Sequence, residues 1–307
     1  MRKLRILRVV LAAFSLLALT AAFVDFTGTA AGWFGWTAKI QFWPALLALS
    51  LATVAAVLAC TLLAGRVYCS VVCPLGILQD VFVFLRRLFG FRFPVSGEAA
   101  HARFVRELVR KAFTVAFVCG GVLGLHYQWL EPYAIYGRAA SALLAPLCRL
   151  GNNALAGWAE RHASYAFHAV EVVAPPVAVI VLSASLVVLV CALALWKGRL
   201  WCNAVCPVGC LLGYAARYAW LKPRIDAARC VKCGQCARAC KTRAIDIADG
   251  RIDHSKCVAC FDCGAACQKG AISWSKRTGG RSSSGRASQP RARWRRTTRS
   301  STAASPR

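Results

Sequence analysis

CVKCGQCARAC, at residues 230–240, and CVACFDCGAAC, at residues 257–267, are two cysteine runs with the same spacing, C-x2-C-x2-C-x3-C. The second run starts 27 residues after the first. In this spacing three thiolates lie on one tight loop around an iron–sulfur cluster, and the fourth projects toward the cluster of the other run. The runs therefore predict two [4Fe-4S] clusters, each ligated by both runs. A pair of zinc sites is the alternative, although zinc sites are usually built from separated C-x2-C pairs.

The spacing rule also assigns a ligand set to each cluster. One set is Cys230, Cys233, Cys236 and Cys267, and the other is Cys257, Cys260, Cys263 and Cys240. Residues 226–275, including the strand and turn pattern AIDIADGRIDHSKC at 244–257, resemble the bacterial two-cluster ferredoxin family. The resemblance implies a small α+β domain. The chain departs from the family pattern after each fourth cysteine, where Lys241 and Gln268 replace the usual proline.

A second pair of cysteine motifs lies earlier in the chain. GRVYCSVVCPLGIL, residues 65–78, and GRLWCNAVCPVGCL, residues 198–211, are identical at eight of fourteen positions. Two cysteines four residues apart can share one face of a helical turn, and the following proline can start the next helix. An internal duplication would bring both copies to one rim of a helical bundle. Cys69, Cys73, Cys202 and Cys206 are therefore predicted to bind a third [4Fe-4S] cluster or another redox-active metal.

Simple packing is the alternative for the cysteines of these C-x3-C-P motifs, because cysteine behaves as a small buried hydrophobe. The doubled motif favours ligation. Cys210 extends the second motif, but the equivalent position of the first motif is Ile77. Cys210 is therefore interpreted as a spare cysteine outside the predicted ligand set. Cys60, Cys119 and Cys191 occur singly in apolar stretches and are predicted only to pack.

The composition is that of a membrane protein. Hydrophobic residues make up 58% of the 307 residues, and the mean hydropathy is +0.51. Seventeen cysteines, eight of them in the two close runs, favour metal ligation over a disulfide framework. A bilayer core of about 30 Å takes about 20 helical residues. Four stretches of that length are predicted to span the membrane as helices, at 6–24, 43–64, 112–130 and 175–196.

The predicted architecture is an all-α bundle of four transmembrane helices at residues 1–222, a small α+β ferredoxin-like domain at 223–275 and a basic tail at 276–307. The tail has ten basic and no acidic side chains, out of a net charge of +27 for the chain. This composition predicts disorder, with anionic lipid as a partner. Nucleic-acid binding is a weaker alternative.

The distribution of positive charge predicts the orientation in the membrane. The N-terminus carries four basic residues, Arg2, Lys3, Arg5 and Arg8. The 65–111 segment carries eight, whereas the 131–172 segment carries three. Both termini and all clusters are therefore predicted on the cytoplasmic side of the inner membrane. A cleaved signal peptide is the alternative for the first span. After Pro74, a helix with Gln79 and Asp80 on a narrow polar strip is predicted to lie in the membrane interface.

Nearly the whole chain resembles the membrane ferredoxin family typified by NapH, the quinol-oxidising membrane subunit of periplasmic nitrate reductase systems, and the related membrane regions of NosR. The resemblance rests on the spans, the paired C-x3-C-P motifs and the two-cluster region. It implies an electron conduit that works with membrane quinol or a redox partner. Related proteins imply an alternative, a redox assembly or maturation factor for a respiratory enzyme. The chain has no dinucleotide fingerprint and no haem-attachment motif.

A quinol site would need a proton acceptor, because quinol gives two electrons with protons whereas a ferredoxin cluster exchanges one electron. The candidates are His126 and Glu131, which lie beside Tyr127, Trp129 and Tyr133. An aromatic belt at the membrane interface is the alternative. This polar group is predicted at the outer boundary, across the bilayer from every predicted cluster.

Overall fold

Helices make up most of the computed structural model, which describes residues 1–90, 100–122, 131–162, 167–173 and 175–276. The helices of the first half are α1 (Arg2–Val24), α2 (Thr29–Phe34), α3 (Trp36–Lys39), α4 (Phe42–Leu47), α5 (Leu51–Ala64), α6 (Tyr68–Val71), α7 (Pro74–Leu88) and α8 (Ala100–Val122). They are followed by α9 (Pro132–Ala139), a π-helical turn (Ala140–Leu144), α10 (Ala145–Arg161), α11 (Val177–Lys197), α12 (Leu200–Ala204) and α13 (Pro207–Ala216).

Among the residues that the structure describes, two helices are long and apolar enough to cross a membrane, α1 and α11. The second predicted span is divided instead, because the chain leaves the helix at Ala48–Ser50 and Leu49 has a φ of 54°. Helix α5 alone has 14 residues, about 21 Å at the helical rise and short of a bilayer core. The third predicted span coincides with the end of α8, and its continuation at 123–130 lies outside the described residues.

Helix α9 continues through the π turn into α10, so residues 132–161 form one long helical segment. Pro146 follows the π turn; proline has no N–H to donate to the preceding turn, which accounts for the irregularity. On the α1 side, the Thr20 and Tyr136 hydroxyls are 2.5 Å apart. Gly137 lies so close to Phe23 that an added Cβ would be 2.5 Å from the ring. This long segment therefore packs tightly on the first helix.

The C-terminal part is built from two small antiparallel sheets and two short helices. Strand β1 (Leu221–Ile225) pairs with β4 (Ile272–Lys276), and Ile225 lies opposite Ile272. Strand β2 (Ile245–Asp246) pairs with β3 (Arg251–Ile252), while the helices are α14 (Gln235–Ala239) and α15 (Asp262–Ala266). Together with the mostly helical remainder, this gives a helical protein with a ferredoxin-type C-terminal region.

The two cysteine runs share one backbone conformation. Positive φ angles recur at positions 27 residues apart, at Lys232 and Ala259, Gly234 and Phe261, and Arg243 and Gly270. A residue with a side chain pays about 1–2 kcal/mol for the left-handed region. The same strained loop therefore occurs twice, which is expected if both runs must wrap a similar object.

The main hydrophobic core joins the bundle to the ferredoxin-type region. The described residues up to position 276 form one compact unit. The core holds Tyr68 and Leu75 from the first C-x3-C-P motif, Trp201 from the second, and Val258 and Cys260 from the second cysteine run. The cysteine-bearing regions are therefore packed on one another and share their burial.

Helix α7 differs from its predicted role as an interfacial helix. Gln79 is fully buried and Asp80 is 7% exposed, so the polar strip faces the protein interior. At the other end of the helix, Arg86 donates to the carbonyl of Trp196 and Arg87 to that of Ala239. The residues of the strip are polar because they form hydrogen bonds and ion pairs with other parts of the chain. Sequence periodicity alone does not distinguish such a strip from one that contacts water.

Candidate metal centres

The two C-x3-C-P motifs fold alike. Helices α6 and α12 carry Cys69 and Cys202, whereas Cys73 and Cys206 are the N-cap residues of α7 and α13. The proline after each cap starts the helix, as proline's fixed φ favours. The Sγ of Cys206 accepts a hydrogen bond from the Gly209 amide at 3.3 Å. Each second cysteine thus lies at a helix N-terminus, where N–H groups stabilise a thiolate.

A reciprocal pair of arginines joins the motifs. Arg66 donates from Nη2 to the carbonyl of Cys202 at 3.0 Å, and Arg199 donates from Nη1 to the carbonyl of Cys69 at 2.7 Å. Both arginines are almost completely buried, with exposures of 1% and 0%. Each copy of the motif therefore binds the first-cysteine loop of the other, as a pseudo-twofold duplication requires.

Glycines make this close approach achievable. A Cβ on Gly76 would overlap the carbonyl oxygen of Cys69, and a Cβ on Gly209 would overlap that of Cys202. Both glycines belong to the identical positions of the repeat. They bring the start of α7 and of α13 against the loops that the arginines bind.

Two residues beyond the repeat, equivalent positions carry Asp80 after the first copy and Gly213 after the second. Asp80 accepts from Arg199 Nε at 2.7 Å. Gly213 instead leaves room for the backbone of Ser255, whose carbonyl accepts from Arg66 Nη1 at 2.9 Å. One arginine is therefore neutralised by a carboxylate, and the other is bound by the ferredoxin-type region.

The four motif thiols lie within electrostatic range of one another. Burial, reinforced by the charges of Cys202 and Cys69, raises the pKa of Cys73 well above its usual value, and Cys206 is affected similarly. Burial also raises the pKa of Cys202 to about 11. Buried thiols whose pKa values are raised, as at Cys73, Cys202 and Cys206, do not ionise together on their own, so their thiolate forms require a bound cation or metal cluster.

The surroundings of these thiols suit an anionic group. Gln79 donates from Nε2 to the Sγ of Cys202 at 3.2 Å, and Arg66 Nη2 lies 3.9 Å from the Sγ of Cys69. Arg66 Nε and Arg199 Nη2 are buried and make no hydrogen bond within the described chain. A [4Fe-4S] cluster with four thiolates carries net negative charge and accepts hydrogen bonds on its sulfurs, so the donor set fits it.

The first predicted ferredoxin ligand set is brought together around a cavity of about 240 Å³. Its lining includes Cys230, Cys233, Cys236 and Cys267. Burial and the backbone amide of Ala237 act on the Cys236 thiol in opposite directions, and burial dominates, raising its pKa to about 11. The Sγ of Cys267 also accepts from the Ala271 amide at 3.3 Å. The cavity and its four thiols fit an iron–sulfur cluster.

The second predicted set is more deeply buried. Cys257, Cys260, Cys263 and Cys240 act on one another electrostatically. Burial raises the pKa of Cys257 to about 12 and that of Cys260 to about 11. The Sγ of Cys240 accepts from the Ala244 amide at 3.3 Å, matching the bond at Cys267 in the other run. The fourth cysteine of each run thus lies with the first three of the other.

Single metal ions are a separate matter. Within the described ranges, no three His, Cys, Asp or Glu side chains converge closely enough to hold one ion. A [4Fe-4S] cluster binds each thiolate through a different iron, so its ligands need not converge on one point.

The cysteines outside these three ligand sets differ in burial and surroundings. Cys60 and Cys119 are exposed on the bundle, and Cys191 is buried in α11. Cys210, interpreted as a spare from sequence, is buried near Arg66.

The sequence predicted Glu131 across the bilayer from every cysteine site, but in the structure Glu131 lies near the first motif. Its charge acts on both Tyr68 and Cys73. Glu131 is 2% exposed, and its carboxylate accepts from the amides of Tyr133 and Ala134 at the start of α9. Burial outweighs these bonds and raises its pKa to about 7. The other predicted acceptor, His126, lies outside the described residues, as do Tyr127 and Trp129.

Sequence reasoning overlooked the residues that connect the sites, Arg66, Arg199 and Asp80. A signal was present for the arginines, because each precedes its first cysteine by three residues in both copies. Asp80 gave none, since a single carboxylate on an amphipathic helix usually faces water.

Comparison with known proteins agrees with this geometry. One 4Fe-4S binding domain family matches the chain twice, at residues 46–92 and 178–227, and each match contains one C-x3-C-P motif. Another family, also described as a 4Fe-4S binding domain, matches residues 223–246, which include the first ferredoxin run. The chain therefore contains 4Fe-4S binding domains.

A curated relative is the Escherichia coli (strain K12) protein YccM, which is named for a proposed role in electron transport. The two are 24% identical over 209 residues, which are 65% of this chain and 48% of YccM. The chain thus spans about half the length of this relative. No solved structure matches the chain. Together, the domain matches and this relative support iron–sulfur electron transfer.

Proposed function

We propose that this protein is a membrane-anchored electron-transfer protein that relays single electrons between quinol, or a soluble low-potential donor, and a redox partner enzyme. One observation carries the proposal: three of the four motif cysteines, Cys69, Cys73 and Cys206, share one buried core with Cys260 of the ferredoxin-type region. Cysteine-ligated clusters supply one-electron chemistry, and close packing of such sites favours transfer between them.

The proposed ligands follow the three groups of thiols. Cys230, Cys233, Cys236 and Cys267 would hold one cluster, Cys257, Cys260, Cys263 and Cys240 a second, and Cys69, Cys73, Cys202 and Cys206 a third. The cavity at the first group supports this assignment, as do the sulfur-directed N–H groups at all three. The repeated family match over the C-x3-C-P motifs supports the third.

The packing also gives the proposed sites an order. Arg199 is within electrostatic range of both Cys202 and Cys260, so the motif site adjoins the second ferredoxin site. The first ferredoxin site is nearer the surface, because Cys233 is exposed and the neighbouring Val231 is 63% exposed. Electrons would therefore exchange with a soluble partner at the Cys233 face.

Glu131 supports quinol as the membrane-side partner. A buried carboxyl whose pKa is raised to about 7 by burial can accept a proton near neutral pH. Its position near Cys73 removes the separation that the sequence implied between proton acceptor and metal site. Tyr68 of the first motif, on which the Glu131 charge also acts, donates from Oη to Gln41 Oε1 at 2.8 Å.

The NapH-like membrane placement is part of the same proposal. Arg5 binds Asp262 at 3.0 Å, so the start of α1 lies against the ferredoxin-type region. Arg8, 4% exposed, binds Asp80, which supports retention of α1 in the mature protein over its removal as a signal peptide. The positive-inside rule then favours the cytoplasmic side of the inner membrane for the N-terminus and for every site.

Iron analysis with EPR spectroscopy tests the proposal. Protein purified anaerobically in mild detergent should contain about twelve irons and as many sulfides, the number that three four-iron clusters require. A Cys69→Ser, Cys202→Ser variant should lose about four irons, whereas Cys60→Ser, at an exposed unrelated cysteine, should lose none. An unchanged iron content in the double variant would contradict the proposed third cluster.

The donor is tested in the same preparation. If a short-chain quinol analogue reduces the clusters, so that the EPR signals of the reduced clusters appear, the protein is a quinol-oxidising conduit. Reduction by dithionite alone would contradict quinol as the donor and indicate a low-potential soluble one. Reduction of a metal ion without any turnover of quinol would favour the alternative, a redox assembly or maturation factor.

A further inference from the structure

Lys241 occupies a position where two-cluster ferredoxins usually have proline, directly after the ligand candidate Cys240. Lys241 is 7% exposed, and its side chain lies between two carboxylates. Lys241 Nζ is 3.0 Å from Asp80 Oδ2 and 3.3 Å from Asp262 Oδ2. A buried lysine needs such partners, because an unpaired charge away from water is costly.

The two carboxylates come from different parts of the fold. Asp80 belongs to α7, next to the first C-x3-C-P motif, and it also binds Arg8 of α1 and Arg199 of the second motif. Asp262 belongs to the second cysteine run. The Lys241 ammonium thus joins the bundle and the ferredoxin-type region through one ion network.

The backbone of the same residue extends this connection. The carbonyl of Lys241 accepts a hydrogen bond from the Arg199 amide at 3.1 Å. The side chain of Arg199 in turn donates to the carbonyl of Cys69 at 2.7 Å. Two hydrogen bonds therefore lead from the residue after Cys240 to a cysteine of the motif site.

We propose that Lys241 is a positioning residue that clamps the Cys240 end of the ferredoxin-type region onto the C-x3-C-P site and so sets the electronic coupling between the two. This inference rests on the proposed electron relay. One electron leaves one site as one enters the other, with no bond made or broken, so the rate depends on how closely the protein holds the two sites together.

The equivalent position in the other run gives a natural contrast. Gln268 also replaces the usual proline, but it is exposed beside the cavity of the first ferredoxin site. It belongs to the first ferredoxin site and not to the joint with the motif site that Lys241 forms. A proline at 268 should therefore be tolerated, whereas a proline at 241 removes the ammonium and leaves Asp80 and Asp262 less neutralised.

A second connection between the bundle and the ferredoxin-type region does not involve Lys241. The two regions should therefore stay together in variants of Lys241. The carbonyl of Ser255 accepts from Arg66 Nη1, and its hydroxyl accepts from Arg110 Nη1 at 3.2 Å. These bonds involve neither Asp80 nor Lys241. Loss of the lysine should thus loosen one side of the joint while the other side holds.

The experiment compares Lys241→Pro, Lys241→Met, Lys241→Arg and Gln268→Pro in the full-length holoprotein in detergent. EPR spectra of the reduced protein report magnetic coupling between neighbouring clusters, and iron analysis reports their number. Lys241→Pro and Lys241→Met should lose the coupling signature between the motif site and its neighbour at unchanged iron content. Lys241→Arg should restore it, and Gln268→Pro should match the wild type.

Hydrogen exchange by mass spectrometry gives a readout that does not depend on a third cluster. Amides of α12, which follow Arg199, should exchange faster in Lys241→Pro and Lys241→Met than in the wild type or Gln268→Pro. Unchanged exchange in Lys241→Met would overturn the clamp. A wild type with about eight irons would instead refute the third cluster of the proposed function, and the exchange result would then decide the clamp alone.

Discussion

Arg199 donates a hydrogen bond from Nη1 to the backbone carbonyl of Cys69 at 2.7 Å, so the second motif binds the first at its cysteine-bearing loop. Arg66 of the first motif makes the equivalent hydrogen bond to the backbone carbonyl of Cys202 in the second. Because both arginines are buried, the geometry of the four motif cysteines depends on a pair of internal charges. This dependence makes the site sensitive to single substitutions outside the cysteines.

Replacing Arg199 by Gln should lower the free energy of unfolding by about 3 kcal/mol, because it breaks a buried ion pair and leaves Asp80 with fewer cations. Thermal unfolding followed by intrinsic fluorescence measures the change. Adding Asp80→Asn to the same protein should cost less than the two single losses combined, since the pair is removed as a unit. Fully additive losses would contradict the direct pairing of the two residues.

Replacing Gly76 or Gly209 by Ala should destabilise the protein by about 2 kcal/mol or more, because each new Cβ overlaps a cysteine carbonyl oxygen. The same variants should lose iron from the motif site, since the loops that carry Cys69 and Cys202 must move. Gly151→Ala is the matched control, in α10 with no atom within 4 Å of the added Cβ. It should be neutral or stabilising by up to about 1 kcal/mol, and equal losses in all three variants would argue against the overlap.

His254 should make the protein less stable as the pH falls below about 6.5. Burial, with the charges of Lys222 and Arg224, lowers the pKa of His254 to about 4 in the folded protein. Between about pH 6.5 and 4 the imidazole is protonated in the unfolded chain but not in the folded protein. The free energy of unfolding therefore decreases as the pH falls through this range. The loss should be on the order of 1 kcal/mol, after allowance for the partial exposure of the ring.

His254→Gln should flatten this part of the stability profile, measured by denaturant unfolding at pH values from 7 to about 5. His168→Gln, at an exposed histidine, is the control and should leave the profile unchanged. An unaltered slope in His254→Gln would show that other groups cause the acid sensitivity.

Glu131→Gln should slow reduction by a quinol analogue by about 10²-fold or more, the typical contribution of a positioned proton acceptor. Reduction by dithionite should be unaffected, because it delivers electrons without needing that acceptor. Stopped-flow absorbance in the visible bands of the clusters measures both rates. If both reductants slow equally, Glu131 supports the structure around Cys73 and takes no part in proton transfer.

Some features could be predicted because the interactions behind them are local. The two cysteine runs place three thiolates of each group within seven residues, and the crossed grouping of the fourth follows from the same short spacing. The C-x3-C-P repeat likewise indicated two copies of one element with proline at each helix start, which the structure contains. The ferredoxin-type region and the helical bundle were indicated by spacing and by hydrophobic content.

The membrane spans were predicted less well. The length of the apolar stretch at 43–64 suggested one helix, but the break at Ala48–Ser50 divides it. Hydropathy counts apolar residues and does not register where the backbone changes direction. The polar strip of α7 was predicted to face water at the membrane interface for a related reason. Gln79 and Asp80 are instead buried and bind buried partners, Cys202 and Arg199.

The sequence alone predicts iron–sulfur chemistry for this protein, because cysteine spacing within a few residues limits which thiolates can reach one cluster. Only the tertiary structure decided how the sites are joined. Asp80, Arg199 and Lys241 meet from three distant segments, and Glu131 reaches the first motif from a fourth. Such meetings depend on how whole helices pack, and packing is a collective property of many weak contacts that no short motif encodes.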